Sequence, residues 1–347
     1  MLFTTGGDNW KRFRTIMTPT FAHGKVKLMK EMVEHTSDTL IKNLQNSIKY
    51  SQDGVMELKH IVCAFTMDSI LQIAFGIKID SLVDYKNPIL INAKGLLQKN
   101  MGLKDLLIWT MSAMTPKLSK ILSFQPMGNE LKYFKKFSKK IIEDKRTLYQ
   151  ETFKNEQKFK PTNFIEFLIE AETECNKLNQ SEGKPVKFMT TDEIVAQCVL
   201  FFAVGFDTTA TAISMTCYEL SQNILFQELI YKEIQDTYQK QIIETDNPNL
   251  SFNDAFTIEV LGKMTHLNAA ISEALRLHNP VMFVERTAQN DIMLKSDKHE
   301  IHVKKDDVIN IPIYSIHHDE NNFSEPEKFK PERFIGEKTF HEYAYSK

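Results

Sequence analysis

Apolar residues recur at helical intervals over most of the chain. They do so over residues 24–48 and 57–76, while residues 129–159 are rich in Lys and Glu and are typical of a solvated helix. A polar stretch with a glycine, residues 176–185, predicts a loop before the longest helix. The same pattern predicts further helices over residues 8–21, 101–127, 163–175, 224–239 and 263–278.

The longest predicted helix covers residues 191–221, about 45 Å at the usual rise per residue. It begins at a capping box, in which the Thr190 hydroxyl and the Glu193 carboxylate each accept a hydrogen bond from the other residue's backbone N–H. An apolar run follows over residues 194–206 and ends at Asp207. A polar residue within that run and the acid after it indicate a buried helix, not one that spans a membrane.

The pattern changes after residue 280. Residues 301–303 and 308–311 alternate as strands do, and the polar residues between them predict the turn of a hairpin. Helices first and a small β-region late predict a mainly α fold of the α+β class. We expect a single partial domain over residues 1–347, mainly helical to residue 280, with a small β-region and coil over residues 281–334.

Composition narrows the function classes. The chain has 12 Gly, 24 Phe and 15 Met, which favours long helices around a large apolar interior over an all-β fold. A net charge of −2 excludes the strongly basic surface of a nucleic-acid-binding protein. The four cysteines form no Cys-x-x-Cys pair, so we expect neither a disulfide scaffold nor a structural zinc site. No segment reaches about 18 consecutive apolar residues, the length of a membrane span.

An acid and two threonines interrupt the long apolar helix, in the motif Gly205-x-Asp207-Thr208-Thr209. A threonine inside a helix can donate to the carbonyl four residues earlier, here that of Val204, and bend the helix. Gly205 eases that distortion and shares a helix face with Val204 and Thr208. The result is a groove beside an acid and an alcohol, which suits proton delivery to a buried oxygen species. The alternative is a kinked core helix that tolerates a glycine.

Glu273 and Arg276 share a helix face and can form an ion pair. The same spacing at Glu143 and Arg146 lies in a charged helix and there predicts an exposed pair of little energetic effect. The apolar neighbours of Glu273 instead predict a buried pair, which needs further partners to offset its desolvation. We expect Arg333 to be the third member.

Three further residues are candidates for binding an anion. Trp10 and Arg14 share a face of the first predicted helix, where an indole N–H beside a guanidinium makes an anion clamp. Arg286 follows the apolar residues 281–284 and is a candidate for another clamp. The alternatives are a basic helix on the surface for the first site and an ordinary charge at a strand end for the second.

Taken in order, these motifs resemble those of the cytochrome P450 family of haem-thiolate monooxygenases, over essentially the whole chain. Each motif is weak by itself, whereas all of them in this order are specific. The similarity is greatest to the microsomal, xenobiotic-oxidising type of animals. The motifs that carry the resemblance are Trp10-x-x-x-Arg14 for the haem-propionate helix, Gly205-x-Asp207-Thr208-Thr209 for the oxygen-activation motif, and Glu273-x-x-Arg276 with Pro331-Glu332-Arg333-Phe334 for the Glu-Arg-Arg triad.

The resemblance implies an activity and its partners. The complete protein would bind haem and insert one oxygen atom of O2 into a lipophilic substrate, with electrons from NADPH–cytochrome P450 reductase. It would lie at the cytosolic face of the endoplasmic reticulum membrane, held by an N-terminal anchor outside this chain, and would bind no nucleic acid. Lys11 and Arg12 are candidates for the positive charge that faces the reductase.

The resemblance also implies residue roles. Asp207 and Thr208 would deliver protons, and Gly205 would make room for oxygen. The haem would contact Trp10, Arg14, Val204 and Arg286; the structural triad would be Glu273, Arg276 and Arg333; and the apolar substrate pocket would include Phe201, Phe202, Val281, Met282 and Phe283.

One element of the family pattern is absent from the sequence. The family binds haem iron through a Cys in a Phe-x-x-Gly-x-x-x-Cys-x-Gly loop, and none of Cys63, Cys175, Cys198 and Cys217 has glycines at the matching positions. We therefore expect a fragment that contains no metal ligand, whose axial Cys lies outside the chain, and which alone neither binds haem stably nor is active. Val204 also stands where the family usually has a smaller residue, which narrows the space above the iron.

Three other functions remain open. A relative that rearranges peroxides needs neither a reductase nor a proton relay, and the presence of Asp207 and Thr208 argues against it. A naturally truncated, haem-free pseudoenzyme or scaffold would have the fold without the chemistry. An unrelated helical module would share the motifs by chance. The Met-rich residues 101–127 likewise have two interpretations: a membrane-dipping lid over a substrate channel, or an ordinary cover of the core.

Overall fold

The fold is known from a computed structural model. It divides into two compact units, Met1–Asp207 and Thr208–Lys347, and each is described by itself. The residues that the structure describes are 1–51, 55–81, 87–97, 129–154, 159–182, 188–296 and 299–336.

Helices make up the secondary structure in the described part of the first unit. Two are short 3-10 helices, Leu2–Thr4 and Thr18–Phe21. The α-helices are α1 (Gly7–Met17), α2 (His23–Tyr50), α3 (Leu58–Phe75), α4 (Pro88–Leu97), α5 (Asn129–Lys154), α6 (Phe164–Glu182) and α7 (Thr191–Gln222), the last of which continues into the second unit.

Each helix predicted in the first unit is present in the part of it that the structure describes, with different ends. Residues 18–21 form a 3-10 helix, and residue 159 is not helical. α4 was not predicted, and the helix expected over residues 101–127 lies outside the described residues. α6 continues to Glu182, so the loop expected to begin at residue 176 was wrong. Polar residues in the last turns of α6 do not end the helix, because a helix needs no apolar residue in every turn.

α3 lies in the core of the first unit. Its side chains are buried on nearly all sides, and its terminal Phe75 stacks on Phe202 of α7 with ring centroids 4.5 Å apart. Phe134 of α5 lies 4.4 Å from the same Phe202 ring, and all three rings are fully buried. Gly76 ends α3 with φ +66°, and a Cβ there would lie 2.5 Å from the Asn163 amide nitrogen. Only glycine satisfies both the left-handed backbone and the close approach.

α5 and α6 are joined by ion pairs. The Arg146 guanidinium binds both carboxylate oxygens of Glu172, over 2.7 and 3.0 Å, and also donates to the Thr191 hydroxyl. The prediction that Arg146 forms an exposed pair with Glu143 on its own helix was therefore wrong. A bidentate partner on a neighbouring helix outcompetes a flexible one at a spacing of three residues.

The second unit combines helices with two small sheets. Its helices are α8 (Ile224–Thr245), α9 (Phe252–Ala255), α10 (Ile258–Lys263), α11 (Thr265–Leu277), α12 (Ile313–His317) and a 3-10 helix, Pro331–Phe334. Its strands are β1 (Val284–Thr287), β2 (Ile292–Lys295), β3 (Glu300–Val303) and β4 (Val308–Ile311). A mainly α fold with a small β-region near the C-terminus is thus confirmed.

The strand pairing differs from the predicted hairpin. β1 pairs with β4 in antiparallel register, Val284 opposite Ile311, and β2 pairs with β3, Ile292 opposite Val303. The two strands that the alternation predicted are present, but they do not pair with each other. The Ala288 N–H donates to the Asp307 carbonyl over 2.9 Å, which extends the β1–β4 ladder into the polar connection instead of closing a turn there.

Two helices are long and apolar enough to cross a membrane when judged by length and composition, Leu58–Phe75 and Thr191–Gln222. Neither helix contains 18 consecutive apolar residues, because a mean hydropathy tolerates the polar residues that break each apolar run. In the first helix 72% of the apolar window is buried in the fold, as in the core helix of a globular protein. In the second helix the share is 33%.

Candidate functional site

The capping box at the start of α7 forms as predicted. The Thr190 N–H donates to Glu193 Oε2 over 2.8 Å, and the Glu193 N–H donates to Thr190 Oγ1 over 3.2 Å. Arg12 of α1 also binds the start of α7. Its Nη2 lies 2.7 Å from Glu193 Oε1, and its Nη1 donates to the Phe188 carbonyl over 3.0 Å. Arg12 is therefore engaged within the fold, which corrects the expectation that it faces a reductase. Lys11 is exposed.

α7 passes through the acid–threonine motif without a break. Phe202 and Phe206 are fully buried, whereas Val204 between them is 47% exposed. The expectation that Phe202 contacts substrate was wrong, because its ring lies within the aromatic core of the first unit. Phe201 is half-buried and packs against Phe164 of α6 with ring centroids 4.4 Å apart. The accessible apolar position on this turn of α7 is therefore Val204.

Gly205 serves the packing of α7 against α3. A Cβ at this position would lie 2.0 Å from Cδ1 of Ile70, far inside van der Waals contact. The space that a side chain would need is already filled by Ile70. The expected role of Gly205, making room for oxygen, stays a prediction; the side chain nearest to the position of its missing Cβ is that of Ile70.

The acid of the motif has a cationic neighbour. Lys59 Nζ, at the start of α3, lies 3.3 Å from Asp207 Oδ1, with side chains 42% and 29% exposed respectively. Asp207 ends the first unit, and the next two residues of the same helix, Thr208 (half-buried) and Thr209 (exposed), begin the second. The carboxylate is thus paired and still accessible to water.

α1 presents the predicted clamp residues on its open side. Trp10 is 43% exposed and Arg14 is exposed, whereas Phe13 and Met17 are each 4% exposed and attach α1 to the core of the first unit. Trp10 and Arg14 lie one turn apart. Their indole and guanidinium N–H groups are hydrogen-bond donors without acceptor capacity, a chemistry suited to an anion.

Glu273, Arg276 and Arg333 meet in the interior of the second unit. Glu273 and Arg276 are fully buried and Arg333 is 6% exposed. Arg276 binds both oxygens of Glu273, over 2.8 and 2.9 Å, and Arg333 Nε lies 3.0 Å from Glu273 Oε1. Further N–H groups donate to carbonyls, Arg276 to that of His317 over 2.7 Å and Arg333 to that of Glu325 over 3.0 Å. Arg333 Nη1 also donates to the Ser324 hydroxyl over 3.4 Å. The network is closed to water and joins α11 to the C-terminal coil.

The remaining predicted residues lie around β1 in the second unit. Val281, Met282 and Phe283 are 43%, 61% and 53% exposed, an apolar stretch open to contact. Arg286 is exposed, and its guanidinium donates to the carbonyl of Glu285 over 2.8 Å. Its charge remains available to an anion, because a carbonyl does not neutralise it.

The cysteines are poorly suited to bind a metal. Cys63, Cys175 and Cys198 are buried, and burial raises the pKa of Cys198 to about 12. Burial also raises the pKa of Cys63, an effect that the Asp207 carboxylate reinforces. A thiol with a raised pKa is protonated at neutral pH, and the thiolate is the ligand form. Within the part of the chain that the structure describes, no cluster of His, Cys, Asp and Glu could hold a metal ion.

Three residues of α3 that contact the motif were not predicted from the sequence: Lys59, Thr66 and Ile70. Each of them contacts a residue of α7 that is far away in the sequence. A contact between distant residues produces no periodic pattern within either segment, so the sequence does not predict it. A partial signal was present, because Thr66 is a polar residue within one of the most apolar segments of the chain.

The family model for cytochrome P450 matches residues 1–346, so the chain belongs to the cytochrome P450 family. It is similar to cytochrome P450 3A29 of Sus scrofa, with 29% identity over 94% of this chain and 59% of that protein. It is also similar to cytochrome P450 9c1 of Drosophila melanogaster, with 31% identity over 94% of this chain and 60% of that protein. A third relative is cytochrome P450 3A7 of Homo sapiens, with 30% identity over 94% of this chain and 59% of that protein. The chain thus spans about three fifths of the length of these relatives.

The donors and apolar surfaces of this chain can be tested against the haem that the family implies. Haem is a flat apolar ring with two carboxylates and an iron. The exposed N–H donors of Trp10 and Arg14 fit a carboxylate, and the exposed Val204 fits an apolar face. The cysteines, with three of them buried and the pKa of Cys198 near 12, do not fit the iron. The described residues therefore fit the periphery of a haem and not its axial ligand.

Proposed function

We propose that this chain is part of a haem-dependent monooxygenase that inserts one oxygen atom of O2 into a lipophilic substrate. One observation carries the proposal: over less than two turns of α7, residues 202–207, Val204 and Asp207 remain accessible while Phe202 and Phe206 are fully buried. An acid and an apolar position that are both accessible on this segment suit proton delivery beside an apolar ligand. When bound, the haem supplies the reaction with O2 and the oxygen transfer.

The proposed haem contacts lie on α1 and α7. Trp10 and Arg14 hold a propionate through N–H donors on one helix face, and the Val204 side chain borders the ring. Arg286 is assigned the same propionate-binding role because its exposed charge follows an apolar stretch. The axial thiolate comes from a Cys outside this chain, so we expect the chain alone to bind no haem stably and to be inactive.

The proposed proton path uses two consecutive residues. The Asp207 carboxylate exchanges protons with water, because 29% of its side chain is exposed. The Thr208 hydroxyl donates its proton into the site and is reprotonated through Asp207. A pair of this kind contributes about 10²-fold or more to a reaction that needs protons at a defined atom.

The proposed substrate and partners follow from the exposed apolar residues and from the family. Val281, Met282 and Phe283 form an exposed apolar stretch suited to a lipophilic substrate, and the half-buried Phe201 is the further pocket residue. Electrons come from NADPH–cytochrome P450 reductase. The complete protein lies on the cytosolic face of the endoplasmic reticulum membrane through an N-terminal anchor.

The test is made on the complete protein. A haem-thiolate protein gives the family's carbon monoxide difference spectrum after reduction, and a monooxygenase transfers one atom of isotopically labelled O2 to product with NADPH and reductase. We expect Arg14→Gln to lower haem content and Thr208→Ala to lower product formation by about 10²-fold with haem content unchanged. Turnover that is unaffected by Thr208→Ala would favour a peroxide-rearranging enzyme, and a complete protein that binds no haem would favour a scaffold.

A further inference from the structure

Three side chains of α3 contact three consecutive residues of the motif. They follow one stripe of the helix, at positions i, i+7 and i+11, and they meet the motif in reverse order. The contacts are Ile70 with Gly205, the Thr66 hydroxyl with the Phe206 carbonyl, and Lys59 with the Asp207 carboxylate.

Gly205 lies where the Ile70 side chain of α3 packs against α7. A Cβ on Gly205 would lie 2.0 Å from Ile70 Cδ1, so a larger residue here would require the Ile70 side chain to move. Near this contact, a short side chain on α3 can reach the backbone of α7. Thr66 is the residue that does so.

Thr66 is 3% exposed, and its hydroxyl has a choice of acceptors. Two of them, the carbonyls of Val62 and Cys63 on its own helix, each lie 3.1 Å away, whereas the carbonyl of Phe206 lies 2.9 Å away. A hydroxyl carries one proton and donates to one acceptor at a time. The Thr66 hydroxyl could therefore donate within its own helix without α7. Its shortest contact is nevertheless with the Phe206 carbonyl of α7.

The bond to the Phe206 carbonyl acts on Asp207. The carbonyl belongs to the planar peptide group that ends at the Asp207 nitrogen, so the bond from Thr66 is a hold on the backbone at Asp207 in addition to the helix itself. Lys59 then holds the other end of the same residue, at carboxylate oxygen Oδ1.

We propose that Thr66 is a positioning residue for proton delivery by Asp207, with Lys59 as the second hold on the same acid. This inference rests on the proposed function. Neither residue touches substrate or haem in this proposal. Each acts by keeping the Asp207 carboxylate in one place relative to Thr208.

The test compares Thr66→Val with Thr66→Ser in the complete protein. Valine keeps the branched shape and removes the donor, while serine keeps the donor. We expect Thr66→Val to lower the product formed per NADPH about fivefold, the factor that corresponds to one net hydrogen bond, with the remaining electrons recovered as hydrogen peroxide. Thr66→Ser should restore most of the product yield.

A second readout does not depend on haem or turnover. Amide hydrogen exchange over residues 204–212 should be about fivefold faster in Thr66→Val, because the local structure opens more easily. The matched control is Thr36→Val. Thr36 is also buried, donates to a carbonyl of its own helix and contacts a neighbouring helix through Ser69. Among the described residues, its hydrogen bonds go to α2 and α3 and not to α7. Thr36→Val should change neither exchange over residues 204–212 nor product yield.

Equal effects of Thr66→Val and Thr36→Val on product yield would overturn the inference, since both would then act through stability alone. Unchanged exchange over residues 204–212 in Thr66→Val would also overturn it. If the wild-type protein binds no haem or makes no product, the proposed function fails. The exchange measurement then still decides whether Thr66 holds this segment of α7.

Discussion

Two ion pairs, one in each unit, differ in their access to water. Glu273 with Arg276 and Arg333 is 0–6% exposed, and its N–H groups find carboxylate or carbonyl acceptors inside the second unit. Lys59 with Asp207 is 42% and 29% exposed, with 3.3 Å between Lys59 Nζ and Asp207 Oδ1. The first site is closed to water, whereas the second is partly open to it.

The difference determines how much each pair stabilises the fold. Removing one partner of a buried network leaves an uncompensated charge in the interior, which is costly. An ion pair that water reaches contributes little to stability, because the solvent screens its charges. The cost of removing one charge should therefore fall steeply from the triad to the α3–α7 pair.

The largest expected effect is that of Glu273→Gln. The change keeps the volume and removes the charge, which leaves Arg276 and Arg333 buried without a counter-ion. We expect the free energy of unfolding to fall by about 3–5 kcal/mol, as for other buried pairs that lose one partner. Chemical denaturation of the complete protein measures the change.

The control for Glu273→Gln is Glu143→Gln on α5. Glu143 also has an arginine three residues later, but it is exposed, and that arginine binds Glu172 instead. We expect a change within about 0.5 kcal/mol. Equal losses in the two variants would mean that burial of the triad does not determine its contribution.

An intermediate effect is expected at the start of α7, where Arg12 and Glu193 are 16% and 28% exposed. The hydrogen bond from Arg12 lowers the pKa of Glu193 from its ordinary value of 4.5, and partial burial opposes this. A carboxylate with a lowered pKa in the folded state stabilises the fold above pH 4.5 and loses that contribution as the pH falls toward its folded value. The predicted pH window therefore lies below 4.5.

Arg12→Gln should remove most of this acid dependence. We expect the variant to be less stable at neutral pH by about 1 kcal/mol or less, and to approach the wild type as the pH falls below that window. Unfolding free energies measured across the acid range give the comparison. A stability difference that stays constant with pH would show that Arg12 acts through packing and not through the charge of Glu193.

Much of the fold could be predicted because helices are local. Apolar periodicity located α2, α3 and α7, and a pair of polar residues three positions apart located the start of α7. Strand pairing could not be predicted in the same way. β1 and β2 have largely exposed side chains and no strong alternation, so the sequence offered only the partner nearest in the chain.

The site shows the same division. The apolar neighbours of Glu273 were sufficient to predict its burial, since they lie on the same helix. The direction of Phe202 was not predictable, because it depends on Phe75 and Phe134, which come from helices distant in sequence. Gly205 likewise has a packing role that becomes visible only once Ile70 is in place. Local chemistry was therefore predictable, and contacts between helices were not.

The smallest expected effect on stability is that of Lys59→Met. Both partners of the α3–α7 pair remain partly in water, so the loss should be within about 0.5 kcal/mol. If Lys59 holds the Asp207 carboxylate, the same variant should still lower the product formed per NADPH about twofold, since the carboxylate then samples other positions. The matched control is Lys94→Met. In the wild type, Lys94 Nζ lies 3.1 Å from His60 Nδ1 in the same region. A product yield equal to that of the control would show that Lys59 acts as an ordinary surface charge. A loss of unfolding free energy near that of Glu273→Gln would show that the pair stabilises the fold as the closed triad does.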